Sequence, residues 1–97
     1  MNEAQRERFT ILAEEAAEVA QATCKALRFG INDKHPITGE TSTEKLENEL
    51  GDLYYMVQWM TMEKDISMDR IGMSFNTKAR RMAPYLRHQE DEDGQEE

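Results

Sequence analysis

Cysteine occurs once, at Cys24, so no intrachain disulfide can form and a disulfide-stapled scaffold is excluded. The compartment expected for such a chain is reducing, the cytoplasm. No run approaches eighteen uncharged apolar residues, so no membrane contact is expected. Met1-Asn2-Glu3 leads into a charged, periodic segment unlike a secretory leader. Bases are the minority, twelve Lys and Arg against twenty Asp and Glu, which counts against binding a nucleic acid polymer, whose phosphates call for a basic surface. No Gly-rich phosphate loop is present. Neither His35 nor His88 has a Cys or His at zinc spacing. There is no Glu-x-x-His, which disfavours a di-iron carboxylate bundle. Strand-like alternation is missing as well.

What remains is one domain of 97 residues, 38% apolar and 33% charged, a balance suited to amphipathic helices. A domain of this size buries only about 60 to 65% of its unfolded surface, so self-association is expected. Six of the acids lie in residues 89–97 (QEDEDGQEE), which reads as a disordered tail beyond a helical domain of residues 1–88. Residues 1–63 carry a charge of −6 and residues 64–88 carry +4, so acidic and basic halves are segregated.

The fold expected is all-α: a helical bundle of two long antiparallel helices, a third helix and a short C-terminal one, completed by oligomerisation. The first helix is predicted from about Glu3 to Phe29 on Phe9, Leu12, Ala16, Val19, Thr23 and Leu27, closed by Gly30. Asn-Asp, His-Pro and Thr-Gly pairs make residues 31–42 a loop. Thr41 and Glu44 fit a capping box for a second helix reaching about Lys64 on Leu46, Leu50, Leu53, Val57 and Met60. Its later half is apolar nearly all round, which implies a partner subunit. Ser67 suits the cap of a third helix through about Met82, and Pro84 the first turn of a fourth.

Two segments repeat one pattern at an offset of 34 residues: Leu12, Glu15, Ala16, Glu18 and Val19 fall on Leu46, Glu49, Leu50, Asp52 and Leu53. At about 100° per residue, acids at i and i+3 sit roughly 60° apart, beside the apolar stripe. Antiparallel packing then lets Glu15, Glu18, Glu49 and Asp52 converge. Four converging carboxylates need a cation, because burying them unpaired costs several kcal/mol. Only Lys45, four residues before Glu49, is a base at helical spacing, so a divalent metal is the better account. An all-carboxylate site selects hard ions, Mg²⁺ or Mn²⁺. One Glu-x-x-Glu alone is ordinarily a solvated face. Two matched pairs are not, and Gly51 between Glu49 and Asp52 suggests close approach to the backbone. Ala13, Ala16, Ala17 and Ala20 keep the first helix slim there.

Glu14-Glu15-Ala16-Ala17-Glu18 followed by Glu49-Leu50-Gly51-Asp52 resembles the E-E-x-x-E then E-x-x-D signature of the MazG-type all-α nucleoside triphosphate pyrophosphohydrolases. The resemblance covers roughly residues 9 to 62 and more loosely extends to 82. It implies a homodimer or homotetramer that binds Mg²⁺ through Glu15, Glu18, Glu49 and Asp52 and cleaves nucleoside triphosphates to the monophosphate and pyrophosphate, removing non-standard or surplus nucleotides. Glu14 or Glu18 would orient or deprotonate the attacking water. An acidic pocket holds a triphosphate only through bridging metals. Residues 70–88 carry five bases and no acid, Lys78, Arg80 and Arg81 among them, and arginine suits phosphate oxygens bidentately; Asn76 and Lys78 loosely match the family's polar and basic positions in that helix, so Asn76, Lys78 and Arg81 are the expected substrate contacts. A basic last turn also simply complements a helix dipole.

Phosphoribosyl-ATP pyrophosphohydrolases share the related motif, although the thirty residues between Glu18 and Glu49 count against that branch. A non-catalytic helical dimerisation module is the other alternative. Cys24, with no adjacent base, is expected in the core, and Trp59, Tyr54 and Tyr55 in the core or a subunit interface rather than against a base.

Overall fold

A computed structural model describes residues 1–89. The expected acidic tail, apart from Gln89, lies outside the described residues. Three α-helices form, α1 (Glu3–Phe29), α2 (Ser42–Met62) and α3 (Met68–Met82), followed by a short 3₁₀ turn, η1 (Ala83–Tyr85). The protein is all-α, and among the described residues there is no strand, only an isolated bridge between Lys34 and Thr41. The chain divides into two compact units, Met1–Ile66 and one beginning at Ser67.

Local chemistry sets the helix ends. The Asn2 side chain accepts from the Gln5 amide at 2.8 Å, satisfying a donor that the first turn leaves open. Gly30 ends α1 at φ 102° and donates to the Ala26 carbonyl, a backbone conformation that glycine adopts without a Cβ clash. At α2 both bonds of the capping box are made: Thr41 Oγ1 accepts from the Glu44 amide at 3.0 Å, and Glu44 Oε1 accepts from the Thr41 amide at 2.9 Å. Replacing Thr41 by Ala is expected to cost about 1 kcal/mol, read as a lower melting temperature. Ser67 caps α3 by accepting from the Arg70 amide at 3.3 Å.

In the first unit α1 packs along α2. The side chains withdrawn from solvent follow two series, Gln5, Arg8, Leu12, Glu15, Val19, Ala22 and Ala26 on α1 and Ser42, Leu46, Glu49, Leu53, Met56 and Met60 on α2, with Ile11, Val57, Gln58, Trp59 and Thr61 partly covered beside them. Both series alternate steps of three and four residues, the period of helices meeting along a narrow seam. The expected stripes are therefore corrected in part. Leu12, Val19, Leu46, Leu53 and Met60 face inward, whereas Phe9, Ala16, Thr23, Leu27 and Leu50 are exposed. Ala13, Ala17 and Ala20 are exposed too, and so is Cys24, which falls on the outer side of α1 between Ala22 and Ala26 rather than in the core.

The antiparallel hairpin is fastened at both ends. Past α2, Lys64 takes a left-handed φ of 63° and the Asp65 amide donates to the Met60 carbonyl, a helix-ending turn that swings Asp65 back onto α1. There its carboxylate accepts from Arg8 Nε at 2.5 Å, from Arg8 Nη2 at 3.1 Å and from Gln5 Nε2 at 3.1 Å. The Asp65 side chain is 2% exposed, and the Arg8 hydrogen bond holds it below the usual carboxylate range. Such two-pronged, charge-assisted bonding is the strong kind. At the other end the Ser42 amide donates to the Asp33 carbonyl and the Thr43 amide to the Ile31 carbonyl, tying the loop to the start of α2.

In the second unit, α3 buries no side chain. Met68, Ile71 and Phe75 lie along one side of it and are exposed.

Candidate functional site

The seam period places the first acid of each repeated pair in the seam itself, not at its rim. Glu15 is half-buried and Glu49 is buried at 7% exposure. The antiparallel pairing brings them together with Asp52, one turn further along α2. One oxygen from each of Glu15, Glu49 and Asp52 can be chosen so that all lie within 4.8 Å of one another. Among the described residues this is the group of acids and imidazoles close enough to share an ion. Three carboxylates at that separation suit a hard, oxygen-preferring divalent cation.

Glu14 and Glu18 are exposed and stand outside this trio. Their charges reach it nonetheless. Burial first, then the negative charges of Asp52, Glu49, Glu18 and Glu14, hold the Glu15 carboxyl above the usual glutamate range. One cation offsets part of this: Lys45 Nζ lies 2.8 Å from Glu49 Oε1, and that bond raises the Lys45 ammonium above the usual lysine range. Lys45 engages Glu49 alone among the trio, which leaves the mutual repulsion of Glu15 and Asp52 without a cationic partner.

The direction of the Glu15 shift fixes a pH dependence. A group whose folded value is raised contributes stability that is complete below its unfolded value, about 4.3 for glutamate, and lost as pH rises through the folded value. Metal-free protein is therefore expected to melt at a higher temperature near pH 5 than at pH 7. Asp65, shifted downward, contributes in the opposite sense: its stability is present above the unfolded aspartate value, about 3.9, and lost in stronger acid. In Glu15→Gln the gain between pH 7 and pH 5 should shrink. Thermal melts of both proteins in chelator, across this range, check it.

Two concavities lie within the first unit, one of them against the carboxylates. This groove of about 290 Å³ is lined by Ile11, Glu15, Asp52, Tyr55, Met56 and Trp59. The Tyr55 and Trp59 rings stand 6.1 Å apart at a 42° tilt. A second cleft, reached from the trio through Lys45, lies between α1 and the 31–42 loop. Gly51 has open space where a Cβ would stand, so among the described residues none makes the close approach that its position between two acids suggested.

Asn76, Lys78 and Arg81 are exposed on α3 in the second unit. Lys78 and Arg81, three residues apart, share a side of that helix, and Arg81 donates to Ser74 Oγ at 3.0 Å.

Sequence reasoning passed over the Arg8–Asp65–Gln5 fastening and the placement of Glu49 within the seam. Extending the 3-4 alternation back from Leu12 finds Arg8 and Gln5, but a search for apolar periodicity skips polar positions.

Residues 1–79 match the phosphoribosyl-ATP pyrophosphohydrolase family. The match spans the 31–42 loop, whose length had counted against that branch, and it counts against a purely structural helical module. No curated protein and no solved structure matches the chain.

Proposed function

The chain belongs to the phosphoribosyl-ATP pyrophosphohydrolase family, part of the same all-α superfamily as the MazG-type enzymes, and from that premise we propose that it hydrolyses the α–β phosphoanhydride of nucleoside or deoxynucleoside triphosphates, yielding the monophosphate and pyrophosphate. The observation that carries the reading is the gathering of Glu15, Glu49 and Asp52 within 4.8 Å between two antiparallel helices.

These three side chains would hold Mg²⁺, with Mn²⁺ as a substitute, and Glu18 stands one turn along α1 as a fourth donor. The ion, when bound, offsets charge on the phosphate oxygens and lowers the pKa of a water molecule. The protein's own part is positional. Lys45 neutralises Glu49, so the trio accepts a divalent cation at lower electrostatic cost. Glu14 or Glu18, exposed and free of the seam, would accept the proton of the attacking water. The Tyr55 and Trp59 groove offers an aromatic surface to the nucleoside, and Asn76, Lys78 and Arg81 on α3 are candidates for phosphate contact. A second copy would cover Tyr54 and Met62, which are 65% and 78% exposed on α2. For such a homodimer or homotetramer, melting temperature should rise with protein concentration.

A second reading, phosphoribosyl-ATP as substrate, is favoured by the family match over residues 1–79; that substrate carries the same triphosphate. Pyrophosphate release measured across the ribo- and deoxyribonucleoside triphosphates and phosphoribosyl-ATP, with Mg²⁺, separates the two. Turnover of phosphoribosyl-ATP alone decides for the second reading, and no release from any of them refutes both.

A further inference from the structure

The cleft between the C-terminal half of α1 and the 31–42 loop, about 500 Å³, lies in the size range of small-ligand sites. Three lysines line it from three directions: Lys25 from α1, Lys34 from the loop and Lys45 from the first turn of α2. Lys45 is the residue bonded to Glu49, so it links the cleft to the carboxylate trio. Along α1 the order Glu15, Glu18, Ala22, Lys25 follows one side of the helix and covers about 15 Å at 1.5 Å per residue. That is room for a short polyphosphate and the reach of a lysine.

The loop holds Lys34 in a fixed place. Lys34 bridges to Thr41, the His35 amide donates to the Glu40 carbonyl at 2.8 Å, and the Gly39 amide donates to the His35 carbonyl at 2.9 Å. His35 Nδ1 accepts from the amides of Ile37 and Thr38. Two acids also line the cleft, Asp33 and Glu40, but the Glu40 carboxylate accepts from Asn48 at 2.6 Å. Among the described residues, Lys25 and Lys34 have no carboxylate within 4.0 Å.

We infer that Lys25 and Lys34, with Lys45 joining them to Glu49, form a subsite for the pyrophosphate end of the substrate, the β- and γ-phosphates that leave together. The inference rests on the phosphoanhydride reading above and assigns direction to it: nucleoside toward Tyr55 and Trp59, α-phosphate at the carboxylates, leaving group toward the lysines. Ammonium groups supply charge to phosphate without demanding one geometry, which suits a group that must also depart.

The test is calorimetric titration of the full chain with inorganic pyrophosphate and Mg²⁺. Wild type should bind. The double variant Lys25→Ala/Lys34→Ala changes two exposed side chains, so its melting temperature should match wild type while its pyrophosphate affinity falls at least about tenfold and KM for the triphosphate rises. Lys25→Arg/Lys34→Arg should restore most of the affinity. Equal binding by wild type and the alanine variant, or no binding by either, overturns the subsite. If no triphosphate is turned over but the alanine variant still loses pyrophosphate, the subsite stands and the reaction assignment fails. Full turnover by the alanine variant, with KM and pyrophosphate binding both unaltered, overturns the subsite and leaves the reaction assignment standing.

Discussion

Glu15→Gln and Asp52→Asn are each expected to lower pyrophosphate release roughly 10³-fold, because a metal held by these residues would supply several kcal/mol of stabilisation to the transferring phosphoryl group and each ~1.36 kcal/mol is tenfold in rate. The amides keep the shape of the acids, so helicity should not change. Stability should move the other way from activity. In metal-free protein at pH 7, Glu15 is a half-buried carboxylate held near the negative charges of Asp52 and Glu49. Removing its charge relieves that repulsion, so Glu15→Gln should melt higher than wild type in chelator. Added Mg²⁺ should then raise the wild type but not the variant, since only a bound cation stabilises by mass action. A scaffold residue replaced by its amide gives no such opposition of activity and stability. Full activity in both variants would refute the metal assignment.

Met60→Ala should have the largest effect on folding. Met60 is fully buried, and Ala22 and Met56 are the other buried apolar residues among those described. Truncating a buried methionine costs about 2 to 5 kcal/mol, part of it from the cavity left behind. Against a total of about 5 to 15 kcal/mol for a small domain, this is a large share. The melting temperature should fall by about 8 °C or more. Met60 also anchors the turn that returns Asp65 to Arg8, through the bond from the Asp65 amide to the Met60 carbonyl. A main-chain bond survives the substitution, so the loss should come from packing.

The helix ends were legible in the sequence because they rest on short-range chemistry. Gly30, the Thr41 and Glu44 pair, Ser67 and Pro84 each satisfy or terminate backbone hydrogen bonds within four residues, and no tertiary context is needed to read them. The doubled acid pattern was legible for a similar reason, since the 34-residue repeat is visible without knowing how the helices pack. The inward face was only partly legible. Phe9, Leu27 and Leu50 outrank Gln5, Arg8 and Glu49 on any hydrophobic pattern, yet the polar residues take the seam. Those polar residues face inward because each finds a partner on the other helix, its flanking turn or its own face: Arg8 and Gln5 on Asp65, Glu49 on Lys45. A partner 57 residues away leaves no periodic trace. The lysine cleft was hidden for the same reason, because the position of Lys34 is set by main-chain bonds inside the loop rather than by its place in a helix.

A crystal soaked in manganese and measured for anomalous scattering puts the question to the ion itself. A peak is expected within coordination distance of the Glu15, Glu49 and Asp52 oxygens, lost in Glu49→Gln. Scattering confined to other parts of the molecule, with those three side chains turned apart into solvent, would contradict it.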